Sequence, residues 1–309
     1  MSCTQVKVVT ANAFAGSNLG DVYPHLAPFA EANGLAPMCK MEEVDWSGID
    51  IAFTCLPHAI TQQAVVALPS DLKIVDLSAD FRLRDADVYE EWYDTPHVAP
   101  DHLAEAVYGL CELVPEQIKG ARLIANPGCY PTSVQLPLVP LIDAGLLETS
   151  ASKGGHIVIN ASSGTSGAGR STGKGKEHLL YAEASGSYLA YGVGHHRHMP
   201  EIEQGLVEAN KGEPVDFSFT PCVFLPQRSS ACVLLGFCWV FPFSISLTER
   251  CSGGCGRHLL PMTRGILATM YVQMKPGVTV EQLHATLTSQ YSSSYFVVSK
   301  AHAAIPTAT

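Results

Sequence analysis

The feature that most narrows the fold is an alternation in the first third of the chain. Short apolar, β-rich runs end in polar turns and give way to helical stretches. Val6 to Thr10, Asp50 to Cys55 and Lys73 to Leu77 are such runs, and strand, turn and helix in repeating order predict a parallel α/β sheet. Each run is nearly all apolar, which predicts strands covered on both faces. Polar residues gather where the runs stop: Pro57 and His58 after one, Ser78, Asp80 and Arg82 after the next. Ligands of open parallel sheets bind outside the carboxyl ends of the strands, so these turns are candidate site loops. With 309 residues and roughly 150 per domain, two domains are expected.

A further run, Leu123 to Ala125, ends in Asn126-Pro127-Gly128, and Cys129 follows. Tyr130-Pro131-Thr132 then opens an apolar segment that closes at Gly145. Its early proline and terminal glycine predict a helix despite Pro137 and Pro140. Residues 155–160 read as a strand feeding a glycine-rich loop. Another helix is predicted from Pro200, where Glu201 and Glu203 suit the positive end of the dipole. A third is predicted over residues 280–289.

Composition removes several classes of function. The chain is 47% hydrophobic and 16% charged, so it has ample material for a core. Nineteen basic against 29 acidic side chains give a formal charge of −10. Without a Lys/Arg stripe such a chain repels a phosphate backbone, and no nucleic-acid partner is expected. The first residues lack a basic stretch followed by an apolar run, so no secretory signal is expected. Ten cysteines in a chain this long read as reduced thiols rather than a disulfide framework. Ala231 to Leu247 is 17 residues without a charge, short of the roughly 20 that span a bilayer, and Pro242 interrupts it. No membrane partner is expected.

Three features carry candidate chemistry. Cys129 stands between a strand end and a helix mouth, where amide dipoles favour the reactive thiolate. His195-His196-Arg197-His198 stands just before the helix at Pro200, and a positive helix end keeps an imidazole neutral and able to accept a proton. The histidines lack a matching set of zinc partners, so no metal is expected. A cysteine with a distant histidine also serves cysteine hydrolases, so the pair alone does not select a reaction. The loop Ser162 to Arg170 is the third feature: amides at Gly164, Gly167 and Gly169 can approach an anion, and Arg170 can pair with a phosphate or carboxylate.

Asn126-Pro127-Gly128-Cys129-Tyr130-Pro131-Thr132, His196-Arg197-His198 and Pro200-Glu201-Ile202-Glu203-Gln204 together resemble N-acetyl-γ-glutamyl-phosphate reductase. Asp21 to Leu26, Leu56-Pro57-His58, Val75 to Arg82, Ser163 to Arg170 and Pro261 to Gly265 add to the likeness in the family's order. The resemblance implies a doubly wound, Rossmann-like NADP-binding domain over 1–128 plus about 290–309. It also implies an α+β catalytic and dimerisation domain over 129–289. The implied reaction is NADPH-dependent reduction of an acyl phosphate through a thioester on Cys129, in arginine biosynthesis. His198, then His196, is the implied acid and base. Arg170, Arg197, Ser163 and Glu201 are expected at the substrate, and Pro57, His58, Ser78, Gly164, Gly167 and Gly169 at NADPH. The family implies a homo-oligomer and a cytoplasmic or plastid location. Reductases of related acyl phosphates, and a catalytically incompetent variant of this one, are the alternatives.

Three departures from the family accompany the likeness. Members begin with a strand and a G-x-x-G-Y-T-G fingerprint, which holds the cofactor pyrophosphate at a helix end; residues 1–10 align with the strand after it. The doubly wound sheet is therefore expected to be incomplete. Residues 222–257 read as an insertion, expected to be poorly ordered, that holds half of the cysteines. The chain ends soon after Phe296, where relatives continue with a strand and a closing helix.

Overall fold

A computed structural model describes residues 5–168, 188–224, 237–238, 243–246 and 264–300. Two short helices, α1 (Leu19–Val22) and α2 (Ala27–Ala32), precede a parallel sheet. Its strands are β1 (Ile51–Thr54), β2 (Lys73–Asp76), β3 (Val107–Tyr108) and β4 (Leu123–Ala125), in the order β1-β2-β4-β3. The register pairs Ile51 with Lys73 and Ile74 with Leu123. Helices α3 (Thr61–Ala67), α4 (Ala86–Tyr93), α5 (Pro100–Glu105) and α6 (Pro115–Gly120) make the crossovers that parallel strands require. Ile74, Leu123 and Ala125 of the inner strands are buried with Val65, Phe81 and Leu103.

Two expectations fail at the edge of this sheet. Val6 to Thr10 is not a strand, because a β-run becomes one only by pairing, and Thr10 alone forms a bridge, to Cys39. Strand β1 is therefore an edge with one open face: Phe53 is 61% exposed. In the turn after β1, Ala59 adopts φ +69° and donates its N–H to Asp80 Oδ1 at 2.9 Å. A left-handed conformation costs a residue with a Cβ about 1–2 kcal/mol, against about 0.5–1 kcal/mol for the extra freedom of an unfolded glycine. Ala59→Gly is therefore expected to raise unfolding stability by about 0.5–1 kcal/mol, read as a higher denaturant midpoint at unchanged slope.

The remaining elements build the second half of the molecule. Helix α7 (Cys129–Asp143) leads through Gly145, at φ +69°, to β5 (Leu147–Glu148), β6 (Ile157–Ser163) and β7 (Tyr188–Ala190). Helix α8 (Met199–Ala209) follows, then β8 (Phe217–Phe224), β9 (Phe237–Cys238), β10 (Phe243–Ser246), β11 (Ile266–Tyr271) and β12 (Gln273–Met274). Helix α9 (Val280–Gln290) and β13 (Val297–Lys300) complete the described chain. Seven strands form one sheet in the order β13-β10-β9-β11-β6-β8-β7, and β12 pairs with β5. Strand β13 lies parallel to β10 in that sheet. Residues 297–300 thus belong to the second half, correcting their expected return to the first domain. Of the segment read as an insertion, Cys222 to Phe224 continue β8, and 237–238 and 243–246 supply β9 and β10. Its other residues lie outside the described ones.

Helix α7 is the spine of this half. It packs on α8, α9 and β11, and Val134, Leu138 and Leu141 share one buried cluster with Ile159, Ile202, Leu206 and Leu287. Removing each such leucine from water contributes about 1.5–3 kcal/mol. The helix keeps Pro137 and Pro140 in its interior. A proline has no N–H for the carbonyl four residues back. For Pro140 that carbonyl is Leu136, and the Tyr291 hydroxyl donates to it instead. No helix among the described residues is long and apolar enough to cross a membrane.

Candidate active site

The turn Asn126-Pro127-Gly128 leaves β4 at its carboxyl end, with the Asn126 N–H donating to Asp76 O at 2.8 Å. It delivers Cys129 as the first residue of α7, one position before the helix start read at Tyr130. Gly128, the N-cap, has no side chain to cap the helix, and its own N–H is taken by Glu201 of α8. Its Oε1 accepts the Gly128 N–H and the Tyr108 hydroxyl, each at 2.7 Å. The Glu201 side chain is 1% exposed, so these donors stand in for water, which a buried carboxylate requires. Gln135 of α7 donates to Glu201 O at 2.8 Å. Gly205 makes room for it, since a Cβ there would come within 2.5 Å of the Gln135 amide carbon.

Arg82, in the loop after β2, grips the same turn from the other side. Its Nε donates to Asn126 O at 2.8 Å and its Nη2 to Leu77 O at 3.1 Å. Nη1 lies 3.6 Å from Glu201 Oε2, with the Arg82 side chain 9% exposed. The loop continues this attachment: Gln204 donates to Arg82 O at 3.0 Å, and Arg84 forms a surface ion pair with Glu208 at 2.8 Å.

The structure sets His198 against Gly128, with the His196 ring centroid 5.0 Å from that of His198. A Cβ added to Gly128 would stand 2.7 Å from His198 Nε2, so that ring lies against the residue preceding the cysteine. His196 is enclosed by aromatic rings, with Tyr130, Tyr191 and Phe219 centroids each 5.5 Å away. Its Nδ1 accepts the His198 N–H at 3.1 Å, which occupies one ring nitrogen with shaping the loop. Burial, then the Arg197 charge, pushes the His196 pKa down to about 4. His198 is held well below the ordinary imidazole value by burial, and next by His196, Arg82 and His58. Both rings are therefore neutral near pH 7.

Cys129 is open to solvent, yet the protein packed around its sulfur pushes the thiol pKa up. The Tyr130 amide and Arg82 pull it down, and Glu201 pushes it further up. A thiolate favoured by the helix end was expected; desolvation here exceeds the pull of the Tyr130 amide and Arg82.

Other expected site residues divide into those facing outward and those turned inward. Pro57 and His58 are exposed at the carboxyl end of β1; His58 Nδ1 accepts the Ala79 N–H at 3.2 Å, and its ring packs on Tyr93. Arg197 is exposed, its guanidinium 5.4 Å from the Tyr93 ring centre. Ser78 is turned inward: its hydroxyl donates to Asp76 at 2.7 Å and accepts the Asp80 N–H at 3.1 Å, so it holds the turn rather than a cofactor. Ser163, expected at the substrate, is buried at the end of β6 with its side chain beside the Tyr130 hydroxyl. Glu201, also expected at the substrate, is consumed by Gly128, Tyr108 and Arg82. Gly164 donates its N–H to Gly265 O at 2.9 Å, so that amide is not free for an anion. Gly167 lies in a short 3-10 turn. Gly169 and Arg170 lie outside the described residues. Among the described residues no cluster able to hold a metal ion occurs.

Sequence reasoning missed Tyr108 and Gln135 and gave Arg82 no role. The available signal was that Arg82 follows a strand whose carboxyl end faces the site.

The NADPH fit can be tested on the amides and turns present. The exposed Pro57-His58 turn and the β4–α7 turn both follow carboxyl ends of strands in one parallel sheet, the side on which open α/β sheets bind their ligands. The glycines near the amino end form no pyrophosphate cradle. Gly16 donates its N–H to Met38 O at 2.7 Å, and Gly20 is packed so that a Cβ would lie 2.7 Å from Ala27 Cβ.

Comparison with known proteins agrees with this geometry. The semialdehyde dehydrogenase NAD binding domain matches residues 2–121, and the semialdehyde dehydrogenase dimerisation domain matches 129–233 and 256–309. The second match pauses over 234–255, a shorter interruption than the 222–257 expected. A probable N-acetyl-γ-glutamyl-phosphate reductase, chloroplastic, of Oryza sativa is 44% identical over 95% of this chain and 59% of its own length. An N-acetyl-γ-glutamyl-phosphate reductase of Afipia carboxidovorans is 41% identical over 95% of this chain and 71% of its own. The chain thus spans about three fifths of the rice relative. The solved structure of aspartate semialdehyde dehydrogenase with NADP from Candida albicans shares the fold, with a TM-score of 0.52 and 11% identity over 91% of this chain and 68% of that one. The turn that presents Cys129 at the mouth of α7 fits this assignment, and both domain matches and these relatives place the chain in the semialdehyde dehydrogenase family, among the N-acetyl-γ-glutamyl-phosphate reductases.

Proposed function

We propose that the chain reduces N-acetyl-γ-glutamyl phosphate to N-acetyl-glutamate 5-semialdehyde, with NADPH as reductant. The observation that carries this reading is Cys129 at the amino end of α7 with His198 packed against Gly128. Neutral His198 takes the thiol proton as the sulfur attacks the acyl carbonyl; the carbon–sulfur bond forms, and phosphate leaves with the carbon–oxygen bond. NADPH, when bound, would supply the hydride for reduction of the resulting thioester. His198 then assists collapse of the thiohemiacetal by holding the proton that moves between oxygen and sulfur. Pro57 and His58 would border the nicotinamide end of the cofactor, and exposed Arg197 would meet the substrate's anionic groups. Residues 1–128 serve the dinucleotide and 129–289 the chemistry. The dimerisation-domain match supports a homo-oligomer, and the compartment we propose is the cytoplasm or the plastid stroma.

Titrating the protein with NADPH while following nicotinamide fluorescence, then adding the acyl phosphate, tests this reading. Saturable binding followed by loss of NADPH on substrate addition is expected. Absence of binding would leave the nonproductive alternative, and turnover without nicotinamide would indicate a hydrolase.

A further inference from the structure

Two charged side chains at the nucleophile, Arg82 and Glu201, are absent from the reaction just described, yet both hold the turn that presents the sulfur. Arg82 reaches Asn126 O at 2.8 Å from the first half of the chain, and Glu201 reaches the Gly128 N–H at 2.7 Å from the second. Their own approach is 3.6 Å, with side-chain exposures of 9% and 1%. We propose that Arg82 and Glu201 are positioning residues of Cys129: an ion pair, sheltered from solvent, that fixes the 126–129 turn and balances the charge at the sulfur.

The two charges act on a thiolate with opposite signs. Arg82 stabilises the anion and Glu201 opposes it, and in a sheltered setting such terms are weakly screened. The other titratable groups around the sulfur do not supply this balance. Tyr130, on the same helix, has its hydroxyl held far above its ordinary value, chiefly by burial, so it stays neutral. His198 and His196, from the loop before α8, are neutral near pH 7 for the reasons given. His58, from the turn after β1, acts on His198. Glu201 Oε2 accepts no hydrogen bond; Arg82 is its nearest ion-pair partner, so a change at one partner is felt by the other. The inference rests on Cys129 being the nucleophile of the proposed reductase.

Iodoacetamide alkylation of Cys129 in the full chain, followed by peptide mass spectrometry as pH is raised, reads the balance without requiring turnover. Glu201→Gln is expected to lower the pH midpoint by about one unit, which is roughly tenfold faster alkylation below the midpoint. Arg82→Gln is expected to raise the midpoint. A residue that merely holds the fold would shift both variants alike or neither. Each variant carries its own sign, so either suffices if the other does not fold. An unchanged midpoint, or a shift of opposite sign, in a variant with parental circular dichroism overturns the proposal. Opposed shifts in a protein that does not oxidise NADPH would keep the pair and remove the reductase reading; normal turnover with unshifted midpoints would do the reverse.

Discussion

Cys129→Ser is expected to reduce NADPH-dependent turnover at least about a thousandfold, because a serine hydroxyl yields its proton to the same base far less readily than a thiol and is the weaker nucleophile. Cys129 is open to solvent, and the change replaces one sulfur by a smaller oxygen without opening a buried cavity. Unfolding stability should therefore stay within about 0.5 kcal/mol of the parent, with NADPH affinity unchanged. Stopped-flow turnover, a denaturant titration and a fluorescence titration separate the three. Parental turnover in the variant would mean that the acyl group never passes through this sulfur.

His198→Asn is the second large effect. Loss of a positioned general base costs about 10²–10⁴-fold in rate, and asparagine keeps much of the size while removing the titrating nitrogen. The sign of the pH dependence follows from the direction of the shift. His198 is held well below the ordinary imidazole value, first by burial, so it remains a base through neutral pH and loses that capacity only on acidification. The parental kcat/KM profile should thus be flat through neutrality and fall on an acid limb below the ordinary imidazole range. The variant should be slow throughout and lack that limb. A parental rate with the same limb would transfer the base role to His196, whose ring is boxed by Tyr130, Tyr191 and Phe219.

Much of this arrangement was legible in the sequence because it is local. Gly128 and Cys129 at a helix mouth, Pro200 at the second position of α8 and the strands at Ile51, Lys73 and Leu123 follow from turn chemistry and apolar patterning over a few residues. Helix α7 was legible despite two prolines, since its apolar length and its terminal Gly145 outweighed them. What stayed hidden depends on partners distant in sequence. Val6 to Thr10 has the composition of a strand, but composition does not supply a neighbour to pair with. Glu201 reads as a first-turn acid suited to a helix dipole, yet its contacts are Gly128, Tyr108 and Arg82. Ser78, from a strand-end turn, and Ser163, in the glycine-rich loop, are expected at ligands by the family likeness, and both hydroxyls make contacts inside the protein.

The attachment of Gln204 to the Arg82 carbonyl joins residues 122 positions apart, and the ion pair beside it spans a similar stretch. Contacts of such separation close late, after the entropy of a long intervening loop has been lost. A nascent or partly refolded chain therefore carries Cys129 on a helix end that lacks its shaping partners. Chemical competence should emerge only in the final kinetic phase, after most of the helical signal has already returned.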